Sequence, residues 1–293
     1  MARLCEGRTA IVTGAGGGLG RAYALALADA GANVIVNDIK AEAADETVEA
    51  IKQAGGSAIT CLNSITDFDA SAETIKLAID TFGGIDVIVN NAGVCRDRMF
   101  TSLSEEDWDI VMAVHLKGHF CLASHASRFW RGKSKEGAAV SGRIINTSSG
   151  AGLQGSVGQS NYSAAKAGIL GLTLVQSAEL ARYGVTANAL APQGRTGMTE
   201  EVFAEMMKKP EDGSFDAYDP ANVAPLVVWL ASEKSAHING RCFEIFGGKI
   251  SLADGWRTGT ITDKGDRWDA EELGAEIDRI VEKADPPQKV YGT

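Results

Sequence analysis

A chain of 293 residues, 45% hydrophobic and 23% charged, has the make-up of a globular protein able to bury a substantial core. Its formal charge of -10 offers no basic stripe for a phosphate backbone, so nucleic acid is excluded as an expected partner. No polybasic run and no apolar stretch of bilayer length occurs, so no membrane association is expected.

The first apolar run, Thr9–Thr13, is short and β-branched, and Arg21–Gly31 after it has helical composition. The alternation repeats with strand Asn33–Asn37, helix Ala41–Ala54, strand Ser57–Thr60, helix Asp69–Phe82, strand Asp86–Asn90 and a long helix, Glu105–Phe129. Strand Gly142–Asn146, helix Tyr162–Tyr183, strand Val185–Asn188, helix Ala221–Ser232 and strand Cys242–Phe246 complete it. The strand runs are almost continuously apolar, as expected where helices cover both faces of a sheet. This order predicts an α/β fold, a doubly wound parallel sheet of about seven strands with helices on both faces.

One domain is expected to about residue 255, with no internal repeat and no linker. Within it Gln193–Pro220 breaks the alternation, and Val202, Phe203, Met206 and Met207, with Met198, suit either a lid over an apolar substrate or the packing of a short helix. Residues 256–293 form a charged extension, in which Leu273, Ile277, Ile280 and Val281 predict a peripheral helix. Five scattered cysteines without C-x-x-C spacing, no signal-like start and a VYGT ending that is no peroxisomal address point to a cytoplasmic protein.

Thr13-Gly-Ala-Gly-Gly-Gly-Leu-Gly20 lies between the first strand and the first helix. Its Gly14, Gly18, Leu19 and Gly20 offer backbone N–H groups to a pyrophosphate at a helix N-terminus, although the spacing is T-G-x-x-x-G-x-G rather than G-x-G-x-x-G. Asp38, at the end of the second strand, stands where an acid meets the adenosine ribose and repels a 2′-phosphate, which favours NAD over NADP. The plainer reading of Asp38 is a solvated strand-end residue.

Tyr162 and Lys166, four apart on a predicted helix, share one face. An ammonium about 4 Å from a phenol, at an effective dielectric of about 20, favours the phenolate by about 4 kcal/mol. That is on the order of three pKa units, enough to bring a phenol of about 10 towards neutrality. Ser149 follows the strand Gly142–Asn146 at the sheet's carboxyl edge, where ligands bind, and Ser148 is taken as a structural turn residue. His115 and His119 share a zinc-compatible spacing, but with no H-E-x-x-H glutamate and no third ligand no metal is expected.

T-G-x-x-x-G-x-G at Gly14–Gly20, N-N-A-G at Asn90–Gly93, Ser149, and Y-x-x-x-K at Tyr162–Lys166 together resemble the short-chain dehydrogenase/reductase family, from about residue 5 to about residue 255. GRAYALALADAGANVIVND, VNNAGVCRDRMF, WDIVMAVHLKGHF, QSNYSAAKAGILGLT and APQGRTGMTE are similar to the (3R)-hydroxyacyl-CoA dehydrogenases of the peroxisomal multifunctional enzyme type 2 group, also called 17β-hydroxysteroid dehydrogenase type 4. The resemblance implies a Rossmann-type fold and an NAD-dependent oxidoreductase acting on a secondary alcohol, preferably a 3-hydroxyacyl-CoA, with a hydroxysteroid as runner-up. It also implies a homodimer or homotetramer joined through long helices, including Tyr162–Tyr183.

Residue by residue, the resemblance makes Tyr162 the general acid/base, and Lys166 the group that lowers its pKa and holds the nicotinamide ribose. Ser149 would hydrogen-bond the substrate oxygen. Asn90, Ala92 and Gly93 would line the adenosine side, with Asn63 near the adenine in place of a common aspartate, its amide keeping a donor and an acceptor. The chain after Pro192, with Thr196, would close over the carboxamide and pyrophosphate. His115 stands where many members carry an asparagine that supports a water leading to the lysine, and the helix backbone carbonyl is expected to hold that water instead. Two other classes stand beside the enzyme reading: a non-catalytic NAD(H)-binding protein, and a structural subunit that would not need both glycine turn and acid/base pair.

Overall fold

The computed structural model describes residues 3–195, 207–253, 255, 258–286 and 288–293. Eight strands form one sheet: β1 (Thr9–Thr13), β2 (Asn33–Asn37), β3 (Ser57–Cys61), β4 (Val87–Asn90), β5 (Gly142–Thr147), β6 (Val185–Gln193), β7 (Cys242–Phe246) and β8 (Lys249–Ala253). Their spatial order is β3-β2-β1-β4-β5-β6-β7-β8, parallel throughout except for the antiparallel β7–β8 pair. The chain moves outward from β1 in one direction to β3, then returns to lay β4 on the other side. That reversal opens a crevice beyond the carboxyl ends of β1 and β4, where open α/β sheets bind ligands.

Helices α1 (Gly18–Asp29), α2 (Ala41–Gln53), α3 (Phe68–Phe82), α4 (Glu105–Met112), α5 (Gly118–Lys135), α6 (Gly150–Gln154), α7 (Ser160–Leu180), α8 (Ala224–Ala231) and α9 (Ala270–Lys283) accompany the sheet. Alternate strand residues feed opposite faces. Ala10, Val12, Val34, Val36, Val87 and Val89 meet Leu27 of α1 and Val227 and Leu230 of α8. On the other face Ile11, Ile35, Ile88 and Ile144 meet Ile75 of α3 and Leu122 and Trp130 of α5. Burial on both faces explains why the strands read as unbroken apolar runs.

β8 departs from the seven-strand expectation. Gly247, with a left-handed φ of 53°, and Gly248 make a two-residue turn between Phe246 and Lys249, and the chain folds back as an edge strand. Four of its five residues are exposed, so no buried run announces it. The helix expected over Glu105–Phe129 is also not continuous. A π-helical turn, Ala113–Lys117, separates α4 from α5, with the Gly118 N–H donating to the Ala113 carbonyl five residues back. The charged extension contains α9, capped by Asp269, whose carboxylate accepts from Glu271 and Glu272 N–H groups. Its Leu273, Ile277 and Val281 lie exposed.

Candidate active site

Ser149 is the N-cap of α6, directly after β5, and its Oγ accepts from the Ala151 N–H at 3.1 Å. Tyr162 and Lys166 come from the first turns of α7. Ser148 Oγ donates to the Lys166 carbonyl at 2.8 Å and so ties α7 to the end of β5, a structural role as its position suggested. Lys166 Nζ, fully enclosed, donates to the Thr147 carbonyl at 2.6 Å and lies 5.4 Å from the Tyr162 ring centroid. The structure therefore gathers Ser149, Tyr162 and Lys166 at the carboxyl edge of β5.

The electrostatics correct the simple charge-pair argument. Burial pushes the Tyr162 phenol well above its ordinary value, Cys95 adds to the rise, and the hydrogen bond with Ser149 pulls it back. Lys166 is itself lowered to about 7 by burial, partly offset by Cys95. A pair argued as two solvated charges omits the desolvation of both, and here desolvation wins. The phenol needs a further positive charge before it becomes a base near neutral pH.

His115 lies in the π-helical turn, wholly buried, with its ring edge-on to Tyr162 at a centroid distance of 5.1 Å. Nε2 lies 2.7 Å from the Val94 carbonyl and 3.1 Å from the Val94 N–H, while Nδ1 is buried without a partner. Burial and the nearby Lys166 lower its pKa to about 3, so the ring is neutral in the working range. It braces the loop after β4 as a neutral ring.

Across the crevice the glycine turn is built for close approach. A Cβ on Gly14 would lie 2.9 Å from Ala92 Cα, and one on Gly20 would run into the Gly14 carbonyl. Gly18 opens α1, so the N–H groups of Gly18, Leu19 and Gly20 have no helical acceptor. Leu19 reaches the chain beyond β6: a Cβ on Gly194 would lie 3.3 Å from its Cδ2. Asp38 Oδ2 accepts from the Gly16 N–H and Oδ1 from the Lys40 N–H, both at 3.0 Å, which fixes the carboxylate beside the turn. Thr147 Oγ1, next to the carbonyl that holds Lys166, is buried with no partner. A bare-backbone cradle at a helix N-terminus, a fixed acid and an orphaned hydroxyl by the lysine fit a dinucleotide.

Other expected residues sit differently. Asn90 is buried and its Nδ2 donates to Asn146 Oδ1 and the His119 carbonyl, which turns the side chain into the interior away from the crevice. Asn63 spends its Nδ2 on the Ala70 carbonyl and Thr74 Oγ1, both at 3.1 Å, so of the expected donor and acceptor only Oδ1 stays available. Ala92 packs against Gly14, and Gly93 against the His115 ring. Pro192 is paired with Ile245 near the end of β6. Thr196, with Met198, Val202, Phe203 and Met206, lies outside the described residues; Met207 is buried, and its carbonyl accepts from Arg195 Nε at 2.6 Å.

Two scaffolding residues were not singled out in the sequence. Thr13 Oγ1 accepts from both the Asn91 and Ala92 N–H groups, and Asn91 Nδ2 donates to the Thr13 carbonyl at 2.9 Å, pinning β4's exit to β1's. The doubled asparagine of N-N-A-G was the available signal: Asn90 faces inward, Asn91 to the turn. Among the described residues no group of three His, Cys, Asp or Glu side chains converges as a metal site needs.

Comparisons with known proteins agree with this geometry. Residues 8–207 match the model of the short chain dehydrogenase family. A crystal structure of a short chain dehydrogenase from Mycobacterium avium superposes with a TM-score of 0.91 at 55% identity, covering 99% of this chain and 100% of that one. The chain is 43% identical over 296 residues to the hydroxyacyl-CoA dehydrogenase ChsB1 of Mycobacterium tuberculosis, covering 98% of this chain and 93% of the relative. It is 45% identical over 254 residues to the peroxisomal multifunctional enzyme type 2 of Mus musculus, covering 84% of this chain and only 32% of that much longer protein. With a Rossmann-like sheet, a glycine-turn crevice and a gathered Ser149–Tyr162–Lys166 set, the chain belongs to the short chain dehydrogenase family of oxidoreductases.

Proposed function

We propose that the protein is an NAD-dependent 3-hydroxyacyl-CoA dehydrogenase, oxidising the secondary hydroxyl of the acyl chain. One observation carries the reading: Ser149, Tyr162 and Lys166 meet at the carboxyl edge of β5, in a chain whose near full-length relative is named a hydroxyacyl-CoA dehydrogenase. Asp38, fixed beside the glycine turn by two N–H groups, supports NAD over NADP.

Ser149 Oγ orients the substrate hydroxyl, and Tyr162 takes its proton. Lys166, poised at about 7 under the Thr147 carbonyl, would hold the ribose and share the proton load. When bound, NAD supplies the hydride acceptor and the positive nicotinamide charge that favours the phenolate. The protein's own part is position and proton transfer.

The test is absorbance at the reduced-nicotinamide band with NAD and 3-hydroxyacyl-CoA esters, run beside 17-hydroxysteroids. Wild type should turn over the thioesters and Tyr162→Phe should not. Equal rates for the two would remove Tyr162 from the chemistry, and faster steroid oxidation would replace the thioester reading.

A homodimer or homotetramer through α5 and α7 is part of the same proposal. The groove between these helices is lined by Phe120, Arg128, Leu172, Val175 and Gln176, and Leu174 and Val175 are exposed on α7. Light scattering on Leu174→Glu should report a smaller particle than wild type. A cytoplasmic setting is supported by Cys5, Cys61, Cys121 and Cys242 standing as free thiols. Among the described residues no helix is long and apolar enough to cross a membrane.

A further inference from the structure

The final stretch of the sequence returns to the site. Val290–Thr293 runs beside the loop that joins α6 to α7, with the Tyr291 N–H donating to the Gly155 carbonyl at 3.2 Å and the Val157 N–H to the Tyr291 carbonyl at 2.9 Å. Thr293 closes the segment on itself, its N–H and Oγ1 both donating to the Val290 carbonyl. Gly292, with a φ of 90°, lies so close to the loop that a Cβ there would stand 3.3 Å from Val157 Cβ. The loop is tied on its other side as well, by the Arg98 N–H to the Gly158 carbonyl and by Gln159 Nε2 to Asp97, both at 2.8 Å.

This anchoring sets the Tyr291 phenol over Gly150. A Cβ on Gly150 would lie 2.6 Å from Tyr291 Oη and 2.8 Å from its Cε2, so the ring fills the space a side chain would take. Gly150 directly follows Ser149, the residue that receives the substrate hydroxyl. Among the described residues Oη has no hydrogen-bond partner, and burial together with Glu244 raises the phenol, which keeps it a donor at neutral pH.

We infer that Tyr291 is a specificity-determining residue of the substrate site: its O–H, carried to Gly150 by the Val290–Thr293 segment, donates to the second oxygen of a bifunctional substrate. In a 3-hydroxyacyl thioester that oxygen is the thioester carbonyl, two carbons from the reacting carbon; the inference rests on the 3-hydroxyacyl-CoA reading above. The phenol packs on the residue next to Ser149, so a substrate hydroxyl held at Ser149 would lie one residue away along the chain, and a simple alcohol would offer that phenol nothing to bind.

The experiment compares full-length wild type with Tyr291→Phe, which removes one oxygen and leaves the ring against Gly150. Steady-state rates with a 3-hydroxyacyl-CoA and NAD are read alongside the NADH dissociation constant. Loss of one hydrogen bond should raise KM about tenfold while kcat and NADH affinity stay within about twofold. An unchanged KM overturns the inference, as does a fall of kcat and NADH affinity together with it, which a merely structural residue would give. If wild type turns over no 3-hydroxyacyl-CoA at all, the substrate reading fails first and takes this inference with it; if wild type is active and Tyr291→Phe matches it, only the inference fails.

Discussion

The imidazole of His115 stands edge-on to the phenol of Tyr162, the ring planes 88° apart. One nitrogen of that imidazole is spent on the backbone of Val94, and the ring is neutral because burial and Lys166 hold its pKa near about 3. It holds the loop after β4 against Tyr162.

His115→Ala should therefore cost stability more than chemistry. It removes the one hydrogen bond that Nε2 can make to the Val94 backbone, with the N–H or with the C=O according to tautomer, and leaves a hole beside Tyr162, a loss of about 2–4 kcal/mol. His115→Asn should keep turnover within about tenfold of wild type. Urea unfolding and initial rates on both variants check this; a loss of several orders of magnitude in folded alanine variant alone would make the imidazole part of the reaction.

Acid should unfold this protein through two buried histidines. His115 is lowered to about 3 and His119 well below its ordinary value, both chiefly by burial. The unfolded chain then binds more protons than the folded one below about 6.5, so stability is full above that pH and falls as pH drops towards 3. The slope is on the order of 1.4 kcal/mol per pH unit for each histidine. Denaturation midpoints from pH 7 to pH 4.5 measure it, and His115→Asn should flatten the curve.

Two glycines of the same turn should behave oppositely. A Cβ on Gly20 meets the Gly14 backbone, whereas Gly17 has nothing within 4 Å and an extended φ of -158° that any residue adopts. Gly20→Ala should cost about 1–3 kcal/mol and abolish NADH binding, while Gly17→Ala should stay within about 0.5 kcal/mol of wild type. Thermal melts with and without NADH separate the two.

Asp38→Ser should relax the cofactor preference. It removes the charge that would face a 2′-phosphate, and a hydroxyl is left at the end of β2. The ratio of kcat/KM for NAD to that for NADP should fall at least about tenfold. An unchanged ratio would place the discrimination elsewhere.

Sequence patterning made the sheet legible wherever burial dictated composition. Valine on one face and isoleucine on the other mark β1, β2 and β4, and the Ser149–Tyr162–Lys166 spacing survives folding because Ser149 caps α6 and the other two share the first two turns of one helix, α7. β8 escaped because its side chains are exposed, so only Gly247-Gly248 pointed to it. Asn63 and Asn90 carry polar side chains whose partners, Ala70, Thr74, Asn146 and His119, come from other elements, and no local pattern shows that those groups are already engaged. The charge balance of Tyr162 is hidden for a related reason: desolvation depends on everything packed round the phenol.

The widened turn at Ala113–Lys117 separates the winding of α4 from that of α5 in this chain. A surplus residue gathered in one loose coil of backbone lets α4 and α5 each keep its own phase against the sheet. Deleting a residue elsewhere in either helix would swing everything downstream by about 100°. Deleting one inside the coil would instead convert it to ordinary winding with both rods still correctly turned, and would fall on the stretch that presents His115 to Val94 and Tyr162.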